Sequence, residues 1–286
     1  MSSLSTNVDS ISMPAGVAVL LRDLLHERTG IFFEPGRFDT MMDKLRGRVE
    51  SHGFPSFLDY YYLLKYEPGA EDEWLHVMDA FSVPETYFWR EAAQIRALVE
   101  VVVPAWFREH PGKPLRIWSA ACATGEEPYS LAMALIEAGF GRHPISIVAS
   151  DASRSAIEHA RQAVYRERSF RALPAELRAK YFVPAERGES RLLVERLLPV
   201  SFRRANVVSE VDTAELAAAP VIFCRNVFIY FSPESTRRTA QQFARAMPQG
   251  GHLFIGASET LLKLTPAFDL QEICDAFVYV RNAQPV

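Results

Sequence analysis

The chain has 286 residues, enough for two domains, and its 49% hydrophobic and 23% charged residues are typical of a folded globular protein, not a disordered or fibrous one. The net charge of −4 disfavours a nucleic-acid binder, and no apolar run is long enough to insert into a membrane. Residues 1–10 lack a signal-peptide pattern. Three isolated cysteines favour a reducing compartment, so we expect a cytoplasmic protein, and the scattered histidines do not support a metal site.

The first part of the chain, up to about Phe81, shows helical periodicity four times over. Apolar residues recur at helical spacing in each stretch, Gly30 and Gly53 follow the first two as stop signals, and Ser56 is placed to cap the third. Four short amphipathic helices can bury their apolar faces only against one another or against a neighbour. We therefore predict an N-terminal all-α domain, with its linker, in residues 1–84.

After this region, helices alternate with short apolar strands. We predict a helix over 91–109, bent near Pro104, and further helices over 127–138, 153–162 and 233–247. Strands are predicted at 115–119, 145–150, 221–224, 251–255 and 276–280. Such alternation indicates a parallel sheet with helices on both faces, in which ligands bind beyond the carboxyl ends of the strands. The predicted fold class is thus α/β over residues 85–286.

Residues 161–205 interrupt this alternation. From Arg161 to Arg204 there are 11 Arg/Lys against 5 Asp/Glu, a local charge of +6 in an acidic protein. Two short apolar runs, Leu192–Val194 and Val200–Phe202, stand between prolines and a glycine. We predict a basic insertion that forms a small antiparallel β subdomain. Whether either run offers a free edge to a partner strand stays open.

Two loops of the predicted sheet point to a ligand. The loop from Ser119 to Ser130 is rich in small residues and starts a helix with Glu126 and Glu127, but it has neither GxGxxG nor a phosphate-binding lysine motif. Paired carboxylates suit a cationic group, although the loop can equally be a structural turn. Asp151, after the next strand, is placed to bind ribose hydroxyls or to cap a helix. Together the loops indicate adenosine with a cationic tail, as in S-adenosylmethionine.

Four motifs in order give the chain a close resemblance to a known family. They are the segment from Phe81 to Glu91, the loop SAACATGEEPYS, the run from Phe223 to Phe231, and the segment from Gly250 to Glu259. In these motifs, and over about residues 14–282, the chain resembles the chemoreceptor glutamate methyltransferases, the CheR family. The resemblance implies a Rossmann-like methyltransferase sheet that uses S-adenosylmethionine and releases S-adenosylhomocysteine.

The resemblance also implies roles for individual residues. Thr86 and Arg90 would reach into the cofactor site, with Arg90 near the reacting groups, and Tyr230 would direct its hydroxyl towards the methyl-transfer path. The other implied cofactor-binding residues are Glu127 at the methionine end, Asp151 at the ribose, Asn206 and Val207 around the adenine, and Arg225 and Asn226 beneath the cofactor. Arg90 and Tyr230 are therefore the predicted catalytic residues. The structural alternatives are that Arg90 pairs with Glu85 or Glu91 and that Tyr230 is packing.

Two residues depart from the family pattern. Pro84 stands where many members have Asn, and it offers neither a side-chain amide nor a backbone donor. Trp89 stands where Phe is usual, and its larger ring would reshape the wall of the site. These features favour an alternative function, a regulatory module that binds S-adenosylmethionine or its product with weak turnover. The retained Arg90 and Tyr230 favour an enzyme.

A basic stripe is predicted on the second helix. Arg37, Lys44 and Arg48 lie at offsets 0, 7 and 11 beside its apolar face, although the first 90 residues hold 8 Lys/Arg and 14 Asp/Glu. Such a stripe suits an acidic partner, and the alternative is an ordinary solvated face. In the family this helix is thought to meet the cytoplasmic helical region of a chemoreceptor, so these three residues are the predicted substrate-binding set.

The predicted function is therefore methyl transfer from S-adenosylmethionine to receptor glutamates. The same chemistry on a signalling protein outside chemotaxis is a second possibility. A small-molecule methyltransferase fits less well, because the helical domain and the basic insertion would then have no role.

Overall fold

The computed structural model describes residues 15–283, with side chains from Gly16 onward, and divides into two compact units. The first unit extends to Phe81 and the second begins at Ser82. Among the described residues, no helix is long and apolar enough to cross a membrane. The prediction about a signal peptide concerns residues 1–10, which lie outside the described part of the chain.

The described part of the first unit is helical. Its helices are α1 (Ala15–Thr29), α2 (Phe38–Ser51), α3 (Phe57–Tyr66) and α4 (Ala70–Phe81), with a 3₁₀ turn at Pro35–Arg37 before α2. The predicted helices are confirmed. Ser56 caps α3 as predicted, because its Oγ accepts a hydrogen bond from the Asp59 amide. The apolar faces meet in one core, in which Leu21, Met41 and Tyr60 are fully buried.

The second unit combines helices with strands. Its helices are α5 (Ala92–Ala97), α6 (Val103–Glu109), α7 (Glu126–Glu137), α8 (Arg154–Gln162), α9 (Ala175–Tyr181), α10 (Glu210–Thr213) and α11 (Pro233–Ala246). Its strands are β1 (Leu115–Ala120), β2 (Ile145–Asp151), β3 (Val164–Tyr165), β4 (Phe182–Pro184), β5 (Ser190–Leu192), β6 (Val200–Arg204), β7 (Val221–Phe223), β8 (His252–Phe254), β9 (Phe268–Ile273) and β10 (Ala276–Arg281). The main sheet has the order β6-β2-β1-β7-β8-β10-β9. The strands from β6 to β8 in this order pair in parallel, and β10 is antiparallel to both neighbours.

This sheet differs from the sequence prediction in two strands. The run Val200–Phe202 was assigned to the insertion, but it belongs to β6, which pairs in parallel with β2 and packs its apolar side chains against Ile157 and Ala149. Strand β9 was not predicted, because its residues from Asp269 to Glu272 are exposed and leave no apolar alternation. With β9 and β10 antiparallel, the sheet is mixed and not purely parallel.

Helices cover both faces of the main sheet, as predicted. Along β1, Ile117 packs with Leu131 of α7 on one face. The next residue, Trp118, points to the opposite face, where its ring centroid lies 5.2 Å from that of Phe243 in α11. This alternation follows from the two-residue period of a strand, and it explains why the strands read as continuous apolar runs.

The predicted helix over 91–109 is bent before Pro104, as expected. A π-helical turn, Leu98–Val102, separates α5 from α6. Proline has no N–H to donate and its ring crowds the carbonyl four residues earlier, so the helix widens in the turn that precedes it.

Strands β3, β5 and β4 form a second sheet in that order, which confirms the predicted small antiparallel sheet. Its aromatic core includes Phe88, whose ring centroid lies 4.7 Å from that of Tyr165 and 5.0 Å from that of Phe182. Leu192 lies in the central strand and offers no free edge. The edge strand β4 is three residues long and ends at Pro184, which cannot donate to a partner strand.

Candidate cofactor and active site

The loop after β1 depends on left-handed backbone conformations. Ala121 has φ 54°, Ala123 has φ 47° and Gly125 has φ 93°. A Cβ on Gly125 would lie 2.9 Å from the Cβ of Ala160, so this position requires glycine on two grounds. Each left-handed alanine costs about 1–2 kcal/mol. Strained backbone of this kind is concentrated at ligand sites, which supports a functional interpretation of the loop over a purely structural one.

Asp151 joins this loop to the end of β2. Its Oδ2 accepts a hydrogen bond from the Ala123 amide at 2.9 Å, and its Oδ1 accepts one from the Ser153 amide at 2.9 Å. The cap of α8 is Ser153, whose Oγ accepts from the Ala156 amide, so capping is not the role of Asp151. The buried carboxylate stands at the carboxyl end of β2 beside the first loop, where a ribose-binding residue is expected.

Glu127 and Arg225 form a buried ion pair between the ends of β1 and β7. The Arg225 Nε donates to Glu127 Oε2 at 2.6 Å, and Ser119 Oγ donates to Oε1 at 2.6 Å. A second nitrogen of Arg225, Nη1, donates to the carbonyl oxygen of Arg90 at 2.8 Å. The fold thus brings together residues that are 98 positions apart in the sequence and that were predicted separately.

The two carboxylates at the start of α7 have different partners. Glu126 turns away from Arg225: its Oε2 accepts from Thr124 Oγ1 at 2.7 Å and its Oε1 accepts from Ser169 Oγ at 3.0 Å. Consecutive helical residues point about 100° apart, which explains the divergence. Glu127 alone of the two faces the strand ends.

The segment from Thr86 to Glu91 places Arg90 beside the site. Trp89 and Glu91 are both left-handed, with φ 67° and 56°. The Arg90 guanidinium donates to the carbonyl oxygen of Glu85 at 2.8 Å, whereas the Glu85 carboxylate pairs with Arg171. The predicted alternative, an ion pair between Arg90 and Glu85, is therefore not formed. Thr86 is half-buried in the same segment.

The two departures from the family pattern lie in this segment too. Pro84 is exposed. The Trp89 ring is half-buried and packs against apolar side chains of both the main sheet and the small sheet, and its amide donates to Ser130 Oγ at 3.0 Å. The larger ring is thus accommodated by packing within the second unit.

Asn226 and Tyr230 lie in the loop after β7. Asn226 is left-handed, with φ 59°, and Tyr230 ends a 3₁₀ turn, Phe228–Tyr230, with 38% of its surface exposed. Asn206 and Val207 follow β6, where the Asn206 amide donates to Asp212 Oδ2 and the Val207 carbonyl accepts from Gln242. Apart from Thr86 and Arg90, the residues predicted to bind the cofactor thus follow β1, β2, β6 and β7, which are parallel, so they lie at one edge of the sheet.

The three residues of the basic stripe predicted for substrate binding differ in exposure and in their partners. Arg37 precedes α2, as its N-cap, and stays exposed. Lys44 donates to the carbonyl oxygen of Ala80 at 2.9 Å, and burial lowers its pKa. Arg48 forms two hydrogen bonds to the buried carboxylate of Glu73, at 2.8 and 2.6 Å. Two of the three cations are therefore half-buried and hold α2 to α4, and the substrate-binding role of the stripe stays a prediction.

Sequence reasoning missed two polar residues that contact Arg225. Glu91 Oε2 lies 3.7 Å from Arg225 Nη1 and is buried without a hydrogen-bond partner among the described residues. Gln94, 5% exposed on α5, donates to the carbonyl oxygen of Ile255 at 2.7 Å, and its Oε1 lies 3.4 Å from Arg225 Nη1. Nothing in the sequence marks Gln94 as a site residue, because it is a single polar residue within a helical pattern.

Two buried cysteines, Cys122 and Cys224, lie near these loops. Burial raises the pKa of the Cys122 and Cys224 thiols well above the ordinary value, and nearby carboxylates, including Asp151 beside Cys122, add to the rise. Both thiols are therefore protonated at neutral pH, and only a thiolate attacks an electrophile efficiently.

A sheet of this order, with an acidic residue after β2 and the loops of four parallel strands at one edge, is the architecture of S-adenosylmethionine-dependent methyltransferases. Two family descriptions match the chain: "CheR methyltransferase, all-alpha domain" over residues 19–82 and "CheR methyltransferase, SAM binding domain" over residues 84–276. The chain belongs to the CheR methyltransferase family.

Its relatives include chemotaxis enzymes. Chemotaxis protein methyltransferase 2 of Vibrio cholerae is 35% identical over 252 residues, which cover 87% of each chain. Chemotaxis protein methyltransferase Cher2 of Pseudomonas putida is 30% identical and is matched over 90% of this chain and 95% of its own. A probable biofilm formation methyltransferase, WspC, of the same organism is 33% identical, with 90% of this chain matched to 60% of that protein.

Among solved structures, magnesium protoporphyrin IX methyltransferase (ChlM) from Synechocystis with bound SAM is similar over 95% of this chain and 97% of its own. Its identity is 11% and its TM-score 0.34, too low to bear on the ligand or substrate of this protein.

Proposed function

We propose that this protein transfers the methyl group of S-adenosylmethionine to glutamate side chains in the cytoplasmic helical region of a chemoreceptor, and releases S-adenosylhomocysteine. Family membership and the names of the chemotaxis relatives support methyl transfer. The observation that carries the proposal is the convergence of Asp151, the Glu127–Arg225 pair and Asn206–Val207 at one edge of the sheet. The cytoplasmic location stays a prediction.

The residues at this edge fit the proposed cofactor. Asp151 would accept hydrogen bonds from the ribose hydroxyls, and Asn206 and Val207 would border the adenine. Glu127 and Glu91 supply negative charge for the amino group of the methionine end. Glu91 Oε2 lies 3.7 Å from Arg225 Nη1 and accepts no hydrogen bond from the described residues, so it can accept one from a ligand. When bound, the cofactor supplies an electrophilic methyl group on a sulfonium.

The proposed reaction requires little acid–base catalysis by the protein. A glutamate side chain, with a reference pKa of about 4.3, is already ionised at neutral pH and needs no general base. The protein has to align the carboxylate with the methyl group and exclude water. Arg90 would orient the carboxylate by a charge-assisted hydrogen bond, weakened because its guanidinium also donates to the Glu85 carbonyl. Tyr230 would contribute a second hydrogen bond from its accessible hydroxyl.

A second candidate function is the same methyl transfer onto a receptor outside chemotaxis. The WspC relative, named as a probable biofilm formation methyltransferase, favours it. Both candidates share the cofactor and the product, so they differ only in the protein that carries the methyl ester.

Calorimetric titration with S-adenosylmethionine and S-adenosylhomocysteine tests the cofactor. We expect micromolar binding by the wild type and loss of binding in Asp151→Ala, because the carboxylate binds both the first loop and the proposed ribose. Asp39→Ala, which removes an exposed carboxylate from α2, is the matched control and should bind as the wild type does. Binding that is unchanged in Asp151→Ala would place the cofactor elsewhere.

Methyl-ester mapping tests the substrate. Purified cytoplasmic fragments of a chemotaxis receptor and of a biofilm-signalling receptor are incubated with the protein and labelled methyl donor, and the modified residues are identified by mass spectrometry. Base-labile esters on glutamates of the first fragment support chemotaxis, and esters on the second alone support the other candidate. Cofactor binding without turnover on either fragment would favour the regulatory module.

A further inference from the structure

The loop after β8 carries a half-buried carboxylate, Glu259, which accepts hydrogen bonds from backbone amides of two loops. Its Oε2 accepts hydrogen bonds from the amides of Asn226 at 2.9 Å and Gly256 at 2.5 Å, and its Oε1 accepts one from the Ile229 amide at 3.2 Å. Burial raises the pKa of this carboxyl, and the amide hydrogen bonds oppose that rise. One side chain thus connects the loop after β8 to the loop after β7.

The loop after β7 needs such support. Asn226 is in the left-handed region, which asparagine tolerates better than most residues but which is still less favourable than the right-handed and extended regions. The 3₁₀ turn that follows is only three residues long and ends at Tyr230. Hydrogen bonds to an ionised carboxylate are roughly twice as strong as neutral ones, so Glu259 offsets this cost where it arises.

Gly256 shows how closely the two loops approach. A Cβ at this position would lie 2.5 Å from the Asn226 Nδ2, 2.9 Å from Glu259 Oε2 and 3.0 Å from the Asn226 amide nitrogen. The first two contacts are below 3.0 Å and would force the Asn226 and Glu259 side chains to shift, and the third brings the added methyl group against backbone. Glycine is therefore needed for the carboxylate to reach the Asn226 amide.

We propose that Glu259 is a positioning residue for methyl transfer, which fixes the turn that presents Asn226 to the cofactor and Tyr230 to the reacting groups. The inference rests on the proposed function, since it concerns the same site. Glu259 acts through the backbone of the turn and touches neither reactant.

The hydrogen bonds that Glu259 accepts from the amides of Asn226, Gly256 and Ile229 form a clamp between the two loops. Two substitutions disrupt this clamp in different ways. Glu259→Gln removes the charge and turns an N–H₂ group towards amide donors. Gly256→Ala keeps the carboxylate and forces the loops apart. Glu272→Gln, at an exposed position of β9, is the matched control.

Hydrogen exchange of the amides of Asn226 and Ile229, measured by NMR on the full chain, tests the clamp without any substrate. We expect these amides to exchange faster in both clamp variants than in the wild type, and at the wild-type rate in the control. Unchanged exchange in folded Glu259→Gln would overturn the proposal.

The kinetic readout separates positioning from mere stability. With a receptor fragment that the wild type methylates, both clamp variants should lose roughly 100-fold in kcat, as expected for a misplacement of about 1 Å, and proportionally less in affinity for S-adenosylhomocysteine. Faster exchange with full kcat would contradict a positioning role. If the wild type methylates no receptor fragment, the proposed function fails, while the exchange experiment still decides whether the clamp exists.

Discussion

Each of the two units buries a glutamate beside an arginine, and the two pairs differ in what remains available to a ligand. In the helical unit, Glu73 receives two hydrogen bonds from Arg48, lies 2.9 Å from the Nε2 of His52, and accepts a further bond from the Tyr60 hydroxyl. In the α/β unit, Glu127 receives one bond from Ser119 and one from Arg225. The first carboxylate is saturated by its own unit, and the second is not.

The partners of the two arginines show the same contrast. Arg48 directs both donating nitrogens at one carboxylate, which makes a closed bidentate pair. Arg225 divides its hydrogen bonds among Glu127, the Arg90 carbonyl and Gln94. It also lies 3.7 Å from Glu91 Oε2, which accepts no hydrogen bond from the described residues. A closed network of this kind stabilises a fold, whereas an open one leaves polar groups for a ligand. In this protein the pair with incomplete outer hydrogen bonds, Arg225 with Glu127, is the one at the proposed cofactor site.

The largest expected effect is that of Arg225→Met. Removing the guanidinium leaves Glu127 buried without its cation, so we expect the free energy of unfolding to fall by about 3 kcal/mol and affinity for S-adenosylhomocysteine to fall at least roughly tenfold. Denaturant unfolding and calorimetric titration measure the two effects. Arg48→Met is the companion variant, which should lose stability and keep the affinity. Equal affinities in both variants would remove the distinction between the pairs.

Glu73→Gln tests the closed pair. We expect it to lower the free energy of unfolding by about 3 kcal/mol, because three side chains lose their anionic acceptor, and to leave cofactor binding unchanged. Glu71→Gln on the same helix is the control. Glu71 is exposed and pairs only at the surface with Arg28, so its loss should cost under about 1 kcal/mol. A loss of S-adenosylhomocysteine binding in Glu73→Gln would mean that the helical network serves the site.

The same carboxylate predicts a pH dependence of stability. Burial alone would raise the pKa of Glu73, but hydrogen bonds from Arg48, Tyr60 and His52 outweigh it and lower the pKa to about 2, against 4.5 for an unperturbed glutamate. The stabilisation is therefore complete above the unfolded value and is lost as the pH falls from about 4.5 to about 2. The difference in unfolding free energy between wild type and Glu73→Gln should shrink by about 3 kcal/mol over that range. A difference independent of pH would refute the assignment.

The sequence predicts the elements with strong periodicity and the loops that follow them. The helices of the first unit, the strands at 115–119 and 145–150, and the position of Asp151 all follow from local patterns. Strand β9 is hidden because most of its side chains are exposed, and β6 was misassigned because its partner strand lies about 50 residues earlier. Pairing over such separations leaves no local signature.

The site shows the same limit at the level of side chains. The sequence identifies Glu127 and Arg225 by resemblance, but not that they pair, and it places Arg48 in a substrate stripe although Glu73 binds it. Glu259 ends the motif that begins at Gly250, but its hydrogen bond with the Asn226 amide joins positions 33 residues apart, which the motif does not indicate. Whether a cation is exposed or binds a group of another helix depends on tertiary contacts. The spacing of residues along one helix does not contain that information.

The smallest expected effect is that of Arg37→Ala, which tests what remains of the basic stripe. Arg37 is exposed, so its replacement should change the free energy of unfolding by less than about 0.5 kcal/mol. A single exposed charge acts mainly on the rate of encounter and its salt dependence. For a receptor fragment that the protein methylates, we therefore expect KM to rise less than about threefold, with kcat unchanged. Because Lys44 and Arg48 are engaged with α4, no second exposed cation of the stripe adds to it. A tenfold rise in KM that disappears at high salt would show that Arg37 docks the receptor without them.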